Sequence, residues 1–242
     1  MFKSNLDLIK LPSIPLFYNR DIIFLKYYHS VDYSKIESVH MPIFYHCDFN
    51  TTIIPEYIHR IKAIMVNTFM FPPICPENTS NILHIHIRSG DIMKPDQGAD
   101  LVQPPCAYYE DEIIRHDWEK VIIVSEDRAN PCIDYLVGKY ENVHYFGVNS
   151  LEHDITELLS ATNIMIGRGT FIQALSVFMP NLKNIHYPTD GDYRMHYFLE
   201  TMNPDRCIRH DEYKDYYDQI DEMGGWKCYN ERIGDLIMNF RK

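Results

Sequence analysis

The chain has 242 residues, 45% of them hydrophobic and 24% charged, which is the composition of an ordinary globular protein. Its formal net charge is −11, whereas general nucleic-acid-binding proteins present a basic face, so we expect no nucleic-acid partner. No apolar run approaches the roughly 18 residues that a membrane span requires. Residues 1–15 contain no apolar core of a signal peptide, so we expect a cytoplasmic protein without a membrane span.

The first 80 residues predict a small α/β lobe. Residues 21–28 and 38–46 are rich in β-branched and aromatic side chains, as strands are, and residues 55–69 have the apolar spacing of a helix. A proline-rich linker follows at 72–80. The segment is too short for a full Rossmann domain, so we interpret residues 1–80 as a reduced N-terminal lobe.

From residue 82 onwards, short apolar runs alternate with segments of helical spacing. The predicted strands are 82–88, 121–125, 142–148, 163–167 and 184–187, and the predicted helices are 104–116, 130–140, 153–163 and 169–179. Asn130, followed by Pro131, is the candidate N-cap of the second helix. This alternation is typical of a parallel sheet with helices on both faces. We therefore assign residues 81–190 to a Rossmann-like domain. Residues 191–242 form a C-terminal tail whose helix, near 229–240, packs back on a lobe.

The six cysteines do not form a recognisable framework. They stand at positions 47, 75, 106, 132, 207 and 228, and no two of them form a C-x-x-C pair. A zinc knuckle or a disulfide-stapled domain usually shows closely paired cysteines. We therefore expect buried free thiols.

The first strand of the Rossmann-like segment, in "NILHIHIRSGDIM" (81–93), carries polar residues at alternate positions. Because side chains alternate in a strand, one face holds Leu83, Ile85 and Ile87, and the other holds His84, His86 and Arg88. Arg88 ends the strand with a planar fork of donors that suits a phosphate. Two alternatives to phosphate binding stay open. In the first, Arg88 only pairs with Asp91 and the two histidines are structural. In the second, the His-x-His pair binds a metal.

Two further predicted strands end in polar residues. One ends in Ser125, Glu126 and Asp127, and the other runs through Gly167 to Phe171 into a helix. The carboxyl ends of parallel strands share one edge of the sheet, where ligands bind in α/β folds. The Gly-containing turn, with its free amides, suits a phosphate. It is neither G-x-G-x-x-G nor a P-loop, so we expect no dinucleotide and no P-loop chemistry.

Three segments in order resemble the motifs of the fucosyltransferase superfamily, which comprises α1,2-, α1,6- and O-fucosyltransferases. "HIRSGD" (86–91) resembles its H-x-R-x-[GT]-D motif, and "VSED" (124–127) is similar to a second strand end of the family. "DITELLSATNIMIGRGTF" (154–171) is similar to its third motif. The resemblance implies a GT-B-like architecture with its acceptor side in the N-terminal lobe. It also implies metal-independent, inverting transfer from GDP-fucose to a glycan or glycoconjugate, with no cofactor.

The resemblance also implies roles for individual residues. Arg88 would bind the β-phosphate and stabilise the leaving group, Asp91 would orient Arg88, and Asp154 would accept hydrogen bonds from the guanine edge. Asp154 is equally well explained as a helix cap. The other donor-binding candidates are His86, Ser125, Glu126, Asp127, Arg168, Gly169, Thr170 and Phe171.

Transfer to a hydroxyl requires a base, and Asp96, in the loop after the first motif, is our first candidate, with Glu126 as another. The chain departs from the family at Ser89, where many members have a second basic residue; Arg168 is the candidate replacement. The short N-terminal lobe is a second departure. The alternative hypotheses are a glycosyltransferase that uses another nucleotide sugar, and an inactive module that binds a nucleotide or a glycan.

Overall fold

The computed structural model describes residues 80–94, 102–189, 199–200, 205–226 and 231–241. All of them belong to one compact unit, Phe71–Lys242. The elements predicted before residue 80, and the candidate base Asp96, lie outside the described residues.

A single parallel sheet organises the described part of the chain. Its six strands are β1 (Ile82–His86), β2 (Lys120–Val124), β3 (Val143–Tyr145), β4 (Asn163–Ile166), β5 (Asn184–Pro188) and β6 (Cys207–His210). They lie in the order β3-β2-β1-β4-β5-β6, and every pair is parallel. This is the strand order of a Rossmann fold. The predicted α/β class and the five predicted strands are confirmed, each to within a few residues at its ends.

Helices cover both faces of the sheet. They are α1 (Cys106–Arg115), α2 (Pro131–Lys139), α3 (Leu151–Leu159), α4 (Thr170–Ser176), α5 (Lys214–Glu222) and α6 (Glu231–Asn239), with a short 3-10 helix at Gly90–Met93. The cap predicted for α2 is confirmed, since the Asn130 side chain accepts from the backbone N–H of Cys132 and Pro131 is the first residue of the helix.

The alternation of β1 separates two hydrophobic layers. Leu83, Ile85 and Ile87 are fully buried in the layer that contains α1, α2, α5 and α6. The other layer is formed by Ile122, Ile164 and Ile185 of the neighbouring strands together with α3 and α4. Near-continuous apolar strands with helices on both sides are what a fully buried parallel sheet requires.

Residues 205–241 are integrated into this domain. β6 extends the sheet beside β5, and α5 and α6 pack in the layer of α1. The indole N–H of Trp226 donates to the carbonyl of Ile92, which ties this segment to the chain after β1. The helix predicted near 229–240 corresponds to α6, whereas β6 and α5 are not among the predicted elements. None of the helices in the described ranges is long and apolar enough to cross a membrane.

The prediction of free thiols is wrong for two cysteines. Cys106, at the start of α1, and Cys132, in the first turn of α2, form a disulfide with their Cα atoms 5.2 Å apart. The two positions are 26 residues apart in sequence, and only the packing of α1 beside α2 brings them together. Cys207 is a free thiol.

We predict that loss of this disulfide lowers the free energy of unfolding by about 3 kcal/mol, because a cross-link across a loop of this length restricts the unfolded chain. The Cys106→Ala/Cys132→Ala double variant and the reduced wild type should show similar losses in urea denaturation. Cys207→Ala serves as the control for loss of a cysteine outside the bridge. A wild-type midpoint that does not move on reduction would contradict the assignment.

Candidate functional site

The strand order reverses between β1 and β4, and this creates a crevice at their carboxyl ends. The chain leaves β1 towards α1 on one face and leaves β4 towards α4 on the other, so the following loops diverge. The backbone N–H of Gly167 still donates to the carbonyl of His86 at 3.2 Å, which holds the two loop starts side by side. The loops after β1 and β4 therefore start side by side, and the hydrogen bond from Ser89 to Asp127 joins the loops after β1 and β2 at the same edge of the sheet.

Arg88 lies across this crevice. A Cβ atom placed on Gly169 would be 3.5 Å from Cδ and 3.6 Å from Nη1 of Arg88, so the side chain runs along the backbone that leads into α4. Nη2 of Arg88 lies 3.5 Å from the Asp91 carboxylate, and the Arg88 side chain is 27% exposed. Asp91 is the single ionic partner of Arg88 among the described residues. The remaining guanidinium donors face the crevice or solvent and suit an anionic ligand.

His86 is a neutral neighbour of Arg88. Its ring centroid lies 5.8 Å from that of Phe171, and its Nδ1 is buried without a hydrogen-bond partner among the described residues. Burial, with a further contribution from the positive charge of Arg88, lowers the pKa of His86 to about 4. At neutral pH this imidazole therefore adds no charge and can offer one donor or one acceptor to a ligand.

His84 has a structural role. It is 1% exposed, and its Nε2 lies 3.1 Å from the carboxylate of Glu157 in α3. The contact ties β1 to the helix that covers it. His84 and His86 do share one face of the strand, but the Glu157 contact and the Phe171 contact give them separate environments, which argues against a His-x-His metal pair.

Ser89 and Asp127 join the loops after β1 and β2. Ser89 is 1% exposed, its hydroxyl donates to the Asp127 carboxylate, and its oxygen accepts from the backbone N–H of Asn130 at 2.9 Å. The same Asp127 oxygen accepts from the backbone N–H groups of Gly90 at 3.1 Å and Ala129 at 2.9 Å. Both side chains are thus engaged with protein groups, and Ser89 is buried.

The charge of Asp127 is stabilised by this network. Partial burial raises the pKa of Asp127, but the hydrogen bonds from Ser89 and from the backbone N–H groups of Ala129 and Gly90 outweigh burial, so the pKa is lowered overall. Asn130 adds a further link, since its side-chain amide donates to the carbonyl of Arg88 at 3.2 Å. The sequence indicates Asn130 only as a helix cap. Its position shortly after the polar end of β2 is the sequence feature that could have indicated the additional hydrogen bond to Arg88.

Glu126 lies against the turn that follows Arg88. Gly90 has a φ of +63°, and a Cβ atom placed on it would meet the carboxylate of Glu126, the mobile end of an exposed side chain. Glycine is therefore favoured at position 90 by the backbone conformation. Glu126 itself is exposed, so its carboxylate can reach a ligand in the crevice.

Two buried oxygen atoms near the crevice have no hydrogen-bond partner among the described residues. Ser125 Oγ and Asp154 Oδ1 are both shielded from solvent, and neither forms a hydrogen bond with the described residues. Burial raises the pKa of Asp154, partly offset by the nearby charge of His153 and a hydrogen bond from Asn149. The cap explanation for Asp154 is wrong, because Ser150 is the cap of α3 and accepts from the backbone N–H of His153. Buried polar atoms without partners are uncommon and suggest ligand contacts.

The loop after β4 is supported from the layer of α1. The side-chain amide of Gln103 donates to the carbonyl of Arg168 at 3.0 Å, and a Cβ atom on Gly167 would lie 2.8 Å from the hydroxyl of Tyr109. Thr170 is the first residue of α4, which is seven residues long, and Phe171 is 41% exposed beside His86. So short a helix contributes little dipole, so any anion binding here depends on Arg88.

Comparison with protein-family models, with curated proteins and with solved structures finds no match for this chain. The function is therefore inferred from the residues and from their geometry.

We predict opposite effects for two Gly→Ala substitutions. Gly90→Ala should lower the free energy of unfolding by roughly 1–2 kcal/mol, because the positive φ strains any residue with a Cβ atom. Gly138→Ala, in α2 with nothing within 4 Å of the new Cβ atom, should raise stability by about 0.4–1 kcal/mol. Denaturant melts measure both.

The control is Gly90→Ala/Glu126→Ala, which removes the carboxylate and should restore only part of the lost free energy of unfolding. A denaturation midpoint of Gly90→Ala equal to that of the wild type would disprove the turn geometry.

We also predict that two buried serines at strand ends differ in their contribution to stability. Ser89→Ala removes one of three donors to the Asp127 carboxylate, leaves the Asn130 N–H without its acceptor and should cost roughly 1–3 kcal/mol. Ser125→Ala removes a hydroxyl that has no hydrogen-bond partner among the described residues and should be close to neutral. Urea denaturation of both variants side by side tests this. Equal losses would mean that the loop network does not hold the β1 and β2 ends together.

Proposed function

We propose that the protein is an inverting, metal-independent glycosyltransferase of GT-B-like architecture that uses a nucleoside-diphosphate sugar, with GDP-fucose as the first candidate. A hydroxyl of a glycan or glycoconjugate would be the acceptor. The observation that carries the proposal is the position of Arg88, whose guanidinium spans the β1/β4 crevice with one carboxylate partner. The motif resemblance at 86–91, 124–127 and 154–171 supports it independently.

The leaving diphosphate accounts for the role of Arg88. In the transfer, the acceptor oxygen bonds to the anomeric carbon while the bond from that carbon to the β-phosphate oxygen breaks, and the electron pair stays on the diphosphate. Fixed positive charge beside that oxygen lowers the barrier. Arg88 supplies the charge together with a bidentate fork, and Asp91 at 3.5 Å orients it. Arg168, in the loop after β4, is a candidate for a second cation.

Uncharged groups near the same crevice suit the nucleoside. The buried Asp154 Oδ1, which lacks a partner among the described residues, suits the two neighbouring N–H donors of a guanine edge. Ser125 Oγ and the neutral imidazole of His86 offer uncharged hydrogen-bonding groups nearby. These groups would recognise a purine or its ribose without adding charge to a site whose phosphates are held by Arg88.

The acceptor proton requires a carboxylate base. Glu126 is exposed above Gly90, next to the turn that follows Arg88, which makes it the candidate among the described residues. Asp96 remains the other candidate. A carboxylate at either position would take the proton as the acceptor oxygen attacks.

The disulfide bears on the compartment in which the protein acts. Disulfides persist mainly in oxidising compartments and are rare in the cytosol of mesophiles. The Cys106–Cys132 bridge therefore favours an oxidising compartment over the cytoplasmic location expected from the sequence.

We predict that Arg88→Ala weakens GDP binding roughly 10- to 100-fold, because a charge-assisted pair of hydrogen bonds to phosphate is lost. Arg88→Lys should recover part of the affinity but little transfer, since an ammonium cannot reproduce the planar fork. Calorimetric titration with GDP and UDP measures binding, and mass spectrometry of GDP-fucose hydrolysis measures turnover without knowledge of the acceptor.

Arg209→Ala is the matched control, because this arginine lies on β6 and pairs with Asp211. It should leave GDP binding unchanged. Wild-type protein that binds no nucleotide, or an Arg88→Ala variant that binds GDP as well as wild type, would overturn the proposal. Nucleotide binding without turnover of any nucleotide sugar would instead support the inactive binding module.

A further inference from the structure

Three potential metal-binding side chains meet in the layer between α1 and the edge of the sheet. They are Glu112 of α1, His186 of β5 and His210 at the end of β6. They come from three separate elements, and each is at most 3% exposed. None of them belongs to the crevice described above.

The distances within this cluster fit one small cation. His186 Nδ1 lies 3.1 Å from His210 Nε2 and 3.5 Å from Glu112 Oε2, and all three ligand atoms lie within 4.8 Å of one another. A tetrahedral zinc ion with bonds of about 2.0–2.1 Å separates its ligand atoms by about 3.3 Å. Two of the three separations are therefore already close to those around such an ion, and the third is at most 4.8 Å.

The carboxylate of Glu112 is buried without a hydrogen bond from the part of the chain that the structure describes. It is 0% exposed, yet neither of its oxygens accepts a hydrogen bond from any described residue. Arg115 Nη1 lies 3.5 Å from Oε2 and His116 Nε2 lies 3.3 Å from Oε1, and both of these side chains are more than two-fifths exposed. A buried carboxylate is costly unless it is well paired or binds a metal.

The two facing imidazoles do not solve this problem by themselves. At most one proton fits between His186 Nδ1 and His210 Nε2, because one nitrogen must accept when the other donates. Such a pair leaves both oxygens of Glu112 without a hydrogen bond. A divalent ion would satisfy the two nitrogen lone pairs and the carboxylate together.

We propose that Glu112, His186 and His210 bind a divalent zinc-class ion that links α1 to strands β5 and β6. Two imidazoles and a carboxylate form a ligand set typical of zinc. A water molecule or His116, whose Nε2 lies 3.3 Å from Oε1 of Glu112, would supply the fourth ligand. The other ring nitrogen of His210, Nδ1, lies 3.8 Å from the Glu212 carboxylate. A carboxylate at this position is the kind of partner that orients a metal-bound imidazole.

This metal site lies outside the crevice, where we expect no metal. The proposal does not depend on the proposed transferase activity. The ion would act on the fold, because it joins a helix to the outermost strand of the sheet. The aromatic ring of Tyr108 packs edge-on against His210, with ring centroids 5.4 Å apart, and its hydroxyl donates to the carbonyl of Ile166 at the end of β4. Changes at the cluster would thus affect the carboxyl end of β4, which borders the crevice.

The test is metal binding by the full chain. Protein stripped by dialysis against dipicolinate and then supplied with Zn²⁺ should retain about one ion per chain by elemental analysis, and its melting temperature should rise. Co²⁺ in place of Zn²⁺ should give the intense visible absorption of a tetrahedral site. No retained zinc, or the weak absorption of octahedral cobalt in the wild type, would overturn the proposal whatever the variants do.

Two variants locate the ion. Glu112→Gln keeps the shape of the side chain and should weaken Zn²⁺ binding by about 100-fold, as should His210→Asn. Glu110→Gln, two residues earlier on α1 in a pairing with Lys139 at 2.7 Å, is the control and should leave Zn²⁺ affinity unchanged. Equal affinity in Glu112→Gln and wild type would place the ion elsewhere and refute the assignment. His116→Ala should reduce Zn²⁺ affinity if His116 is the fourth ligand and should leave it unchanged if water is. Once Glu112 is shown to bind the ion, this variant therefore identifies the fourth ligand.

Discussion

The central position of β1 is the constraint on which the rest of the structure depends. β1 pairs with β2 on one side and with β4 on the other, so its carboxyl end must lie where the two halves of the sheet diverge. Parallel strands require crossover connections, and these carry the helices to opposite faces on the two sides of β1. The crevice is thus a product of strand order. Arg88 lies in it because it comes two residues after the last residue of β1.

Polar groups at this strand end fall into two sets with different roles. Ser89, Asp127 and Asn130 bond to each other and to backbone groups, so they fix the loops but have little capacity left for a ligand. His86, Ser125 and Asp154 each keep a buried atom without a partner among the described residues. The hydrogen-bonded first set keeps the loops rigid. Without this rigidity, the loops would rearrange until the unpaired buried atoms of the second set found protein partners.

Local patterns predicted much of the fold and part of the crevice. The alternation along residues 82–88 identified which side chains of β1 enter the core, and the polar ends of β2 and β4 were recognised from their position after apolar runs. The pattern could not show that Ser89 turns inward, since that depends on Asp127 and Asn130, about 40 residues away in sequence. β6 was missed because its four residues, "CIRH", contain a charged and a polar side chain and follow no clear turn. The disulfide and the cluster of Glu112, His186 and His210 each depend on contacts between distant elements, which spacing in the sequence does not reveal.

The disulfide also changes how the chain is connected. It closes a covalent ring from Cys106 to Cys132 that contains all of α1, all of β2 and the connection between them. A protease that cuts this connection, where residues 116 and 117 are exposed, cannot release either fragment, because the bridge still joins them. A nicked molecule would keep β2 beside β1 and hold both loop ends of the crevice in place. The wall of the crevice formed by β1 and β2 is therefore secured by a covalent bond that lies outside the crevice itself.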